Sequence, residues 1–391
     1  MDIAEYFTPI NLEKLADGTP FAKQTLGNTL LINSTEKGFP DTDGAKIAII
    51  GIQDDRRAVN NAGCAKAPNH VRQHLYRLYT HNFNINIVDL GNIKAGHEVE
   101  DTYFAVINVC SELISNKIIP IIIGGGNDLA FAQYRAYEKL EQTINMVSVD
   151  QNFDMGDADE TLNSKTYLGK IILQQPNFLF NFSNIGYQTY FVNPKEVDLM
   201  TRLYFDSHRL GAVQKNMEEV EPIVRNADMM SMDISAIRQS DAPGCNNTTP
   251  NGFYGEEACQ ISRYAGMSDK LTSFGIYEIN PENDSKNQTS HLAAHIIWYF
   301  FEGFCNRKQD FPFKDVNDFT KYRVVIKDNQ YEIIFYKSNK SDRWWMEVPY
   351  PSDKRLKFER HYWVPCSYSE YEEACKDEMP DRWWLTYQKL S

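Results

Sequence analysis

The stretch IIIGGGND at residues 121–128 shows the pattern on which the chain is built, a short apolar run that ends in glycine and polar side chains. The same pattern returns in MVSVDQNFD at residues 146–154 and in MMSMDIS at residues 229–235. Short apolar runs bounded by Gly and Asp are typical of buried strands in a parallel sheet. Because ligands bind outside the carboxyl ends of such strands, we expect the three polar ends to converge on one site.

Strand and helix patterns alternate around these stretches. Residues 45–51, 85–91 and 273–281 read as further strands. Residues 102–116 carry apolar side chains at helical spacing and lead into the strand at residues 118–123. A helix between two strands is the crossover unit of a parallel α/β sheet. The sequence therefore predicts an α/β protein with a mostly parallel sheet.

The composition excludes several classes of function. The chain has 391 residues, with 40 Lys and Arg against 53 Asp and Glu, which gives a net charge of −13. An acidic chain without a basic run is a poor candidate for binding nucleic acid or an anionic membrane. We find neither an apolar run of about 18 residues, the length of a membrane span, nor a signal-peptide pattern at the start. The seven cysteines are scattered without a Cys-x-x-Cys pair, which favours a reduced, cytoplasmic protein.

The three polar strand ends resemble the signatures of the arginase/agmatinase/formimidoylglutamase family, the ureohydrolases. That family carries Gly-Gly-x-His, Asp-x-His-x-Asp and Ser-x-Asp-x-Asp in this order, followed by a Pro-Gly turn. The corresponding strings are residues 124–127, 150–154 and 231–235, with Pro243-Gly244 downstream. The resemblance spans residues 45–305 and is closest to formimidoylglutamase-like members. It implies a three-layer α/β/α fold and a site in which two manganese ions and a bridging hydroxide attack a guanidino or formimino carbon.

The ligand positions of this motif are only partly kept. Asp150, Asp154 and Asp233 match catalytic metal-binding carboxylates, whereas Asn127 and Asn152 match histidines and Ser235 matches an aspartate. By the family's assignment one ion meets Asn127, Asp150, Asp154 and Asp233, an all-oxygen set that suits Mn²⁺, Mg²⁺ or Ca²⁺. The other ion meets Asn152, Asp150, Asp233 and Ser235, which is a poor set. We therefore expect one divalent cation at most or no metal, with weakened hydroxide generation, unless these residues now only hydrogen-bond each other.

Three further residues are candidates for substrate binding. Glu278 matches the glutamate that faces the substrate's guanidinium in the family, where a carboxylate can make a paired contact with an amidine. Asn163 and Ser164 match a loop that hydrogen-bonds the polar end of the substrate. The alternative is that Asn163 and Ser164 cap the helix beginning near Tyr167, and that Glu278 is a strand-end carboxylate.

The chain divides into three predicted parts. Residues 1–44 form an N-terminal wrap, residues 45–305 the arginase-like α/β domain, and residues 306–391 a C-terminal extension. The extension contains a β-hairpin pattern around Asp328-Asn329 and two copies of Asp-Arg-Trp-Trp. Paired tryptophans either anchor such an extension onto its own domain or form an interaction hot spot.

Three functions remain open at this point. The first is an inactive or weak ureohydrolase homologue that binds a small cationic ligand or a protein partner. The second is an active metal-dependent hydrolase of a formimino or guanidino amino acid. The third is an interaction protein that acts through its Trp-rich tail. The resemblance also implies a homo-oligomer, since the family usually forms trimers or hexamers.

Overall fold

A mostly parallel sheet forms the centre of the structure, a computed structural model that describes residues 2–312, 317–327, 330–351 and 359–390. Ten strands belong to this sheet and four to a smaller one. In chain order the strands are β1 (Phe7–Thr8), β2 (Leu31–Ile32), β3 (Ile47–Gln53), β4 (Ile87–Lys94), β5 (Ile119–Ile123), β6 (Ile144–Val149), β7 (Leu179–Tyr187), β8 (Asp206–Arg209), β9 (Met229–Asp233), β10 (Ser273–Tyr277), β11 (Phe319–Ile326), β12 (Tyr331–Ser338), β13 (Trp344–Glu347) and β14 (Trp363–Cys366).

The order of the large sheet is β1-β4-β3-β5-β10-β9-β6-β7-β8, and β2 pairs with β4 beside β1. All of its pairings are parallel except that between β1 and β4. Its inner strands are apolar because helices cover both faces. In β3, for example, Ile47 and Ile49 face one core while Ala48 and Ile50 face the other, which is the side-chain alternation of a strand.

Helices form the two outer layers. Val71, Ile261 and Ile297 pack on one face of the sheet, whereas Val106 and Tyr134 pack on the other. The helices are α1 (Leu12–Ala16), α2 (Leu26–Thr29), α3 (Ala67–Leu75), α4 (Val99–Ser115), α5 (Leu129–Lys139), α6 (Tyr167–Leu173), α7 (Pro194–Arg202), α8 (Leu210–Lys215), α9 (Val220–Arg225), α10 (Gly255–Met267), α11 (Gln288–Cys305), α12 (Tyr368–Cys375) and α13 (Asp381–Leu390). The predicted three-layer α/β/α fold with a mostly parallel sheet is therefore confirmed.

A separate antiparallel sheet of four strands, in the order β11-β12-β13-β14, forms the predicted β-rich extension. Strands β11 and β12 make the hairpin that the sequence indicates, although its turn residues Asp328 and Asn329 lie outside the described residues. Trp345 and Trp383 are buried, and Trp345 lies against the Arg225 guanidinium of the large domain at 4.2 Å. Trp345 thus packs the extension onto the rest of the chain, whereas Trp383 packs inside the extension, where its Nε1 donates to the Glu347 backbone oxygen.

Among the described helices, none has both the length and the apolar character needed to cross a membrane. The longest, α11, has 18 residues.

Candidate functional site

The site lies where four adjacent strands of the large sheet, β5, β10, β9 and β6, end at the same edge. Asp150 follows β6 and Asp233 is the last residue of β9. Together with Asp154 they present carboxylate oxygen atoms that all lie within 4.8 Å of one another, an arrangement that could hold a metal ion. All three side chains are buried. The convergence predicted from the strand ends is present in the structure.

Two of these carboxylates divide their oxygen atoms between two tasks. One oxygen of Asp150, Oδ1, accepts a hydrogen bond from the backbone N–H of Asn152 at 2.9 Å. In the same way Asp233 Oδ1 accepts from the backbone N–H of Ser235 at 2.7 Å. Asp and Asn commonly close turns in this manner. Of the second oxygens, Asp150 Oδ2 accepts from Asn127, whereas Asp233 Oδ2 has no hydrogen-bond partner among the described residues.

The glycine-rich turn after β5 brings Asn127 to the same point. A side chain at Gly125 would lie 1.8 Å from the backbone oxygen of Asp54, so only glycine fits there. The Asn127 side chain is fully buried, and its Nδ2 donates to Asp150 Oδ2 and Asp154 Oδ2, both at 3.4 Å. Its Oδ1 atom has no hydrogen-bond partner among the described residues. Asn127 therefore meets the carboxylates through its amide N–H groups.

Asn152 and Ser235 take part mainly through the backbone. Besides its bond to Asp150, Asn152 accepts a hydrogen bond at its backbone oxygen from Asn184 Nδ2 at 2.8 Å. The Ser235 side chain is fully buried beside Asp233. The six positions of the predicted metal motif thus lie together, but three of them carry neutral side chains.

Lys165 is the residue of the site that the sequence analysis missed. Its Nζ lies 3.4 Å from Asp154 Oδ1 and 3.8 Å from Asp233 Oδ2, close enough to both for an ion pair, and it makes no hydrogen bond among the described residues. The side chain is 27% exposed although the Nζ atom itself is buried, so the exposed part is the aliphatic stem. The lysine therefore covers the carboxylates with its stem and places its charge among them.

Burial and the neighbouring charges shift the pKa values of Lys165 and of the carboxylates around it. Burial, followed by the neighbouring Asp154 and Asp233, raises the pKa of Asp150 well above its usual value. Burial likewise raises the pKa of Asp233, although Lys165 opposes that rise. Burial works against the charged form of Lys165, but the three carboxylates outweigh it and raise its pKa well above the usual value. Lys165 is therefore held as an ammonium ion.

Glu278, the candidate for binding the substrate's cation, lies at the end of β10 with both carboxylate oxygens bonded inside the protein. Oε1 accepts from the backbone N–H of Asn127 at 2.9 Å, and Oε2 accepts from Asn61 Nδ2 at 2.7 Å. Burial and the nearby Asp233 raise its pKa to about 8. Its backbone φ of 65° lies in the left-handed region, which a non-glycine residue adopts at a local strain.

The loop residues Asn163 and Ser164 hold the chain around Lys165. Asn163 Oδ1 accepts from the backbone N–H of Lys165 at 2.8 Å. Ser164 is fully buried, and its Oγ accepts from the backbone N–H of Val59 at 2.9 Å. Thr166, not Asn163 or Ser164, is the residue that precedes α6 as its N-cap. These contacts fix the loop on which the lysine is carried.

Comparisons with known proteins agree with this geometry. The family model described as the Arginase family matches residues 45–302. A formimidoylglutamase of Staphylococcus haemolyticus is 25% identical over 272 residues, which cover 66% of this chain and 86% of that protein. A formimidoylglutamase of Streptococcus gordonii is 24% identical over 291 residues, covering 68% of this chain and 87% of that protein.

Two solved structures share the fold. The formiminoglutamase of Trypanosoma cruzi, solved with Mn²⁺, superposes with a TM-score of 0.63 at 21% identity and covers 70% of this chain and 98% of that chain. The formimidoylglutamase of Bacillus subtilis gives a TM-score of 0.65 at 19% identity and covers 74% of this chain and 96% of that chain. At this level of identity the likeness concerns the fold alone.

Proposed function

This chain belongs to the arginase family, and we propose that its carboxylate centre binds a small cationic ligand instead of supporting hydrolysis with two manganese ions. The proposal rests on the predicted family motif, whose positions lie together around the three buried aspartates. The question it answers is which ions or ligands the side chains at the six motif positions can bind.

The donor set is a poor fit to two manganese ions. A two-metal site needs ligands for ions about 3.5–4 Å apart and works by lowering the pKa of a shared water. At the first of the motif positions Asn127 stands where the family has a histidine, and its side chain offers a metal ion at most one neutral amide oxygen. Asn152 and Ser235 add only neutral oxygen atoms to the shared carboxylates. The second ion would have no charged ligand of its own.

The observation that carries the proposal is the ammonium group of Lys165 among the carboxylates. A group of buried carboxylates attracts positive charge, and the cation found there is a primary ammonium. We therefore infer that the ligand carries an ammonium, amidinium or guanidinium group that competes with Lys165. Glu278 borders this site, and both of its oxygens already accept hydrogen bonds from the protein, so the carboxylates around Lys165 are the ones that would meet the ligand.

Turnover and binding assays on the manganese-treated protein test the proposal. Formiminoglutamate, arginine and agmatine are supplied, and ammonia, urea or formamide release is followed beside thermal stability. We expect no release above the uncatalysed rate, and stabilisation by a cationic compound of about 2.7 kcal/mol at 100 times its Kd. Asp150→Asn, which keeps the turn closed, should abolish that stabilisation. Turnover that Asp150→Asn abolishes would overturn the proposal.

The second candidate function is hydrolysis of a formimino or guanidino amino acid with one hard divalent cation. It is favoured by the three carboxylates, whose spacing could hold Mn²⁺, Mg²⁺ or Ca²⁺, and by the curated relatives named formimidoylglutamase. One cation bound per chain together with turnover would decide for this candidate.

The localisation, oligomeric state and partners of the protein are also proposals. We propose a cytoplasmic homo-oligomer that binds neither nucleic acid nor a membrane, as the negative charge favours. Light scattering coupled to size-exclusion chromatography measures the oligomeric state.

The tryptophans of the Trp-rich tail mostly pack inside the protein, since Trp344, Trp345 and Trp383 are buried and Trp384 is 38% exposed. This distribution makes the tail a weaker candidate for partner binding than the carboxylate centre.

A further inference from the structure

The carboxylate centre already contains a cation that belongs to the chain itself. Lys165 reaches it from the loop before α6, a segment fixed by the bonds of Asn163 and Ser164 to backbone N–H groups. Its buried Nζ makes no hydrogen bond among the described residues, yet it stands 3.4 Å and 3.8 Å from oxygens of Asp154 and Asp233. The contact is therefore an electrostatic one between opposite charges inside the protein.

These are also the carboxylates that could hold a metal ion. Asp150, Asp154 and Asp233 offer oxygen atoms within 4.8 Å of one another, and a Mn²⁺ or Mg²⁺ ion needs such oxygens at about 2.0–2.2 Å. A divalent ion bonded to Asp154 and Asp233 would stand beside a positive charge that is drawn to the same two groups. The Lys165 ammonium and a divalent ion therefore cannot occupy the carboxylate centre at the same time.

We infer that Lys165 is a tethered cation that takes the place of a metal ion and keeps divalent ions out of the carboxylate centre. The inference rests on the proposed function, because it explains how a site built from metal-binding carboxylates becomes one that excludes metals. It names Lys165 as the residue that determines which cations the site accepts.

Two features suit the lysine to this role. Its covalent link keeps the ammonium at a high effective concentration near the carboxylates, which a free ion must overcome. Its stem is part of the surface, so the side chain can swing outward when a stronger cation arrives. If the lysine is inside in about 99% of molecules, the apparent affinity for a competing ion falls about 100-fold.

Manganese binding to the purified full chain tests the inference directly. The wild type, Lys165→Met, Lys165→Arg and Lys170→Met proteins are stripped with EDTA and dialysed against graded Mn²⁺, and bound metal is counted by mass spectrometry. Lys170 is the matched control, because it lies in the neighbouring helix α6 and its Nζ donates to the Ala158 backbone oxygen, outside the carboxylate centre.

We expect Lys165→Met to bind about one Mn²⁺ per chain at least about tenfold more tightly than the wild type. Lys165→Arg, which keeps the charge, and Lys170→Met should bind like the wild type. Adding Asp233→Asn to Lys165→Met should remove the gained ion. Equal Mn²⁺ affinity in the wild type and Lys165→Met would overturn the inference, and so would tight, stoichiometric binding by the wild type or by Lys165→Arg if the methionine variant does not fold.

The outcomes also separate this inference from the proposed function. Hydrolysis of formiminoglutamate by the metal-treated wild type would defeat the proposed function whatever the variants bind. A wild type without turnover, combined with a Lys165→Met protein that gains no Mn²⁺, would defeat only the role assigned to Lys165.

Discussion

Replacing Lys165 with methionine removes the cation from a buried group of carboxylates and keeps a side chain of similar length. The Nζ atom lies 3.4 Å from Asp154 Oδ1 and 3.8 Å from Asp233 Oδ2. At an effective dielectric constant of about 20, these distances correspond to attractions of about 5 and about 4 kcal/mol. Removal of the ammonium from water offsets much of this attraction. We therefore expect a net loss of about 3–5 kcal/mol, as for other buried ion pairs that lose one partner.

Thermal unfolding in EDTA, followed by far-ultraviolet circular dichroism, measures this loss without interference from metals. For a chain of 391 residues the unfolding entropy is about 0.8 kcal/mol/K, at about 2.1 cal/mol/K per residue. The expected fall in Tm is therefore about 4–6 °C. A divalent cation added in excess should restore part of the lost stability, because it supplies the missing positive charge.

Two variants control for the loss of a lysine as such. Lys170→Met removes a side chain with one hydrogen bond to the Ala158 backbone oxygen, and we expect it to change stability by less than about 1 kcal/mol. Adding Asp154→Asn to Lys165→Met should recover part of the stability, since one of the unpaired charges is then gone. A Lys165→Met protein within about 0.5 kcal/mol of the wild type would refute the reasoning.

Three other perturbations follow from the structure. Asp89→Asn leaves the fully buried Arg72 without the carboxylate that two of its nitrogens meet at 2.8 Å. Chemical denaturation should show that the free energy of unfolding falls by about 3–5 kcal/mol. A fall below about 1 kcal/mol would contradict this prediction. Burial and the stacked His291 lower the pKa of His74 to about 4. Between pH 6.5 and 4 this histidine is therefore protonated in the unfolded chain but not in the folded one. Stability falls as the pH falls through this window. His74→Gln should flatten that fall by about 1–2 kcal/mol for this half-buried group, and an unchanged pH profile would argue against it. The family's ligands can be restored in a Lys165→Met background by Asn127→His, Asn152→His and Ser235→Asp. Bound Mn²⁺ should then rise from about one to about two ions per chain. No gain in bound metal would contradict the alignment of the motif.

The sequence was sufficient to locate the four strands that end at the site, β5, β6, β9 and β10, and the carboxylates that follow them, because both follow from local patterns. An apolar run such as Ile121–Ile123 identifies a buried strand by itself, and the polar residue after it lies at the strand end whatever the rest of the chain does. Parallel pairing then brings these ends to one edge of the sheet. The three aspartates could therefore be predicted to meet.

Lys165 and the partners of Glu278 could not be found in this way. Lys165 lies in a polar loop, where the direction of a side chain depends on contacts with distant segments such as Val59, which binds Ser164. Nothing in the neighbouring residues distinguishes this lysine from a solvated one. Likewise Asn61, which binds Glu278 Oε2, is far away in sequence. Only the folded chain shows that Glu278 faces protein donors and that Asn163 and Ser164 hold a loop.

The division of oxygen atoms in Asp150 and Asp233 bears on how this protein could diverge from its relatives. One oxygen of each aspartate closes its own turn, so the fold itself requires a hydrogen-bond acceptor there regardless of any chemistry at the centre. Asn152 and Ser235 contribute backbone N–H groups to the same turns, which any residue except proline can do. Selection for folding alone would thus preserve a side-chain acceptor at these two positions, either aspartate or asparagine, and would leave the side chains of their partners free to change. The two aspartates therefore satisfy a requirement of the architecture whether or not the centre has an activity.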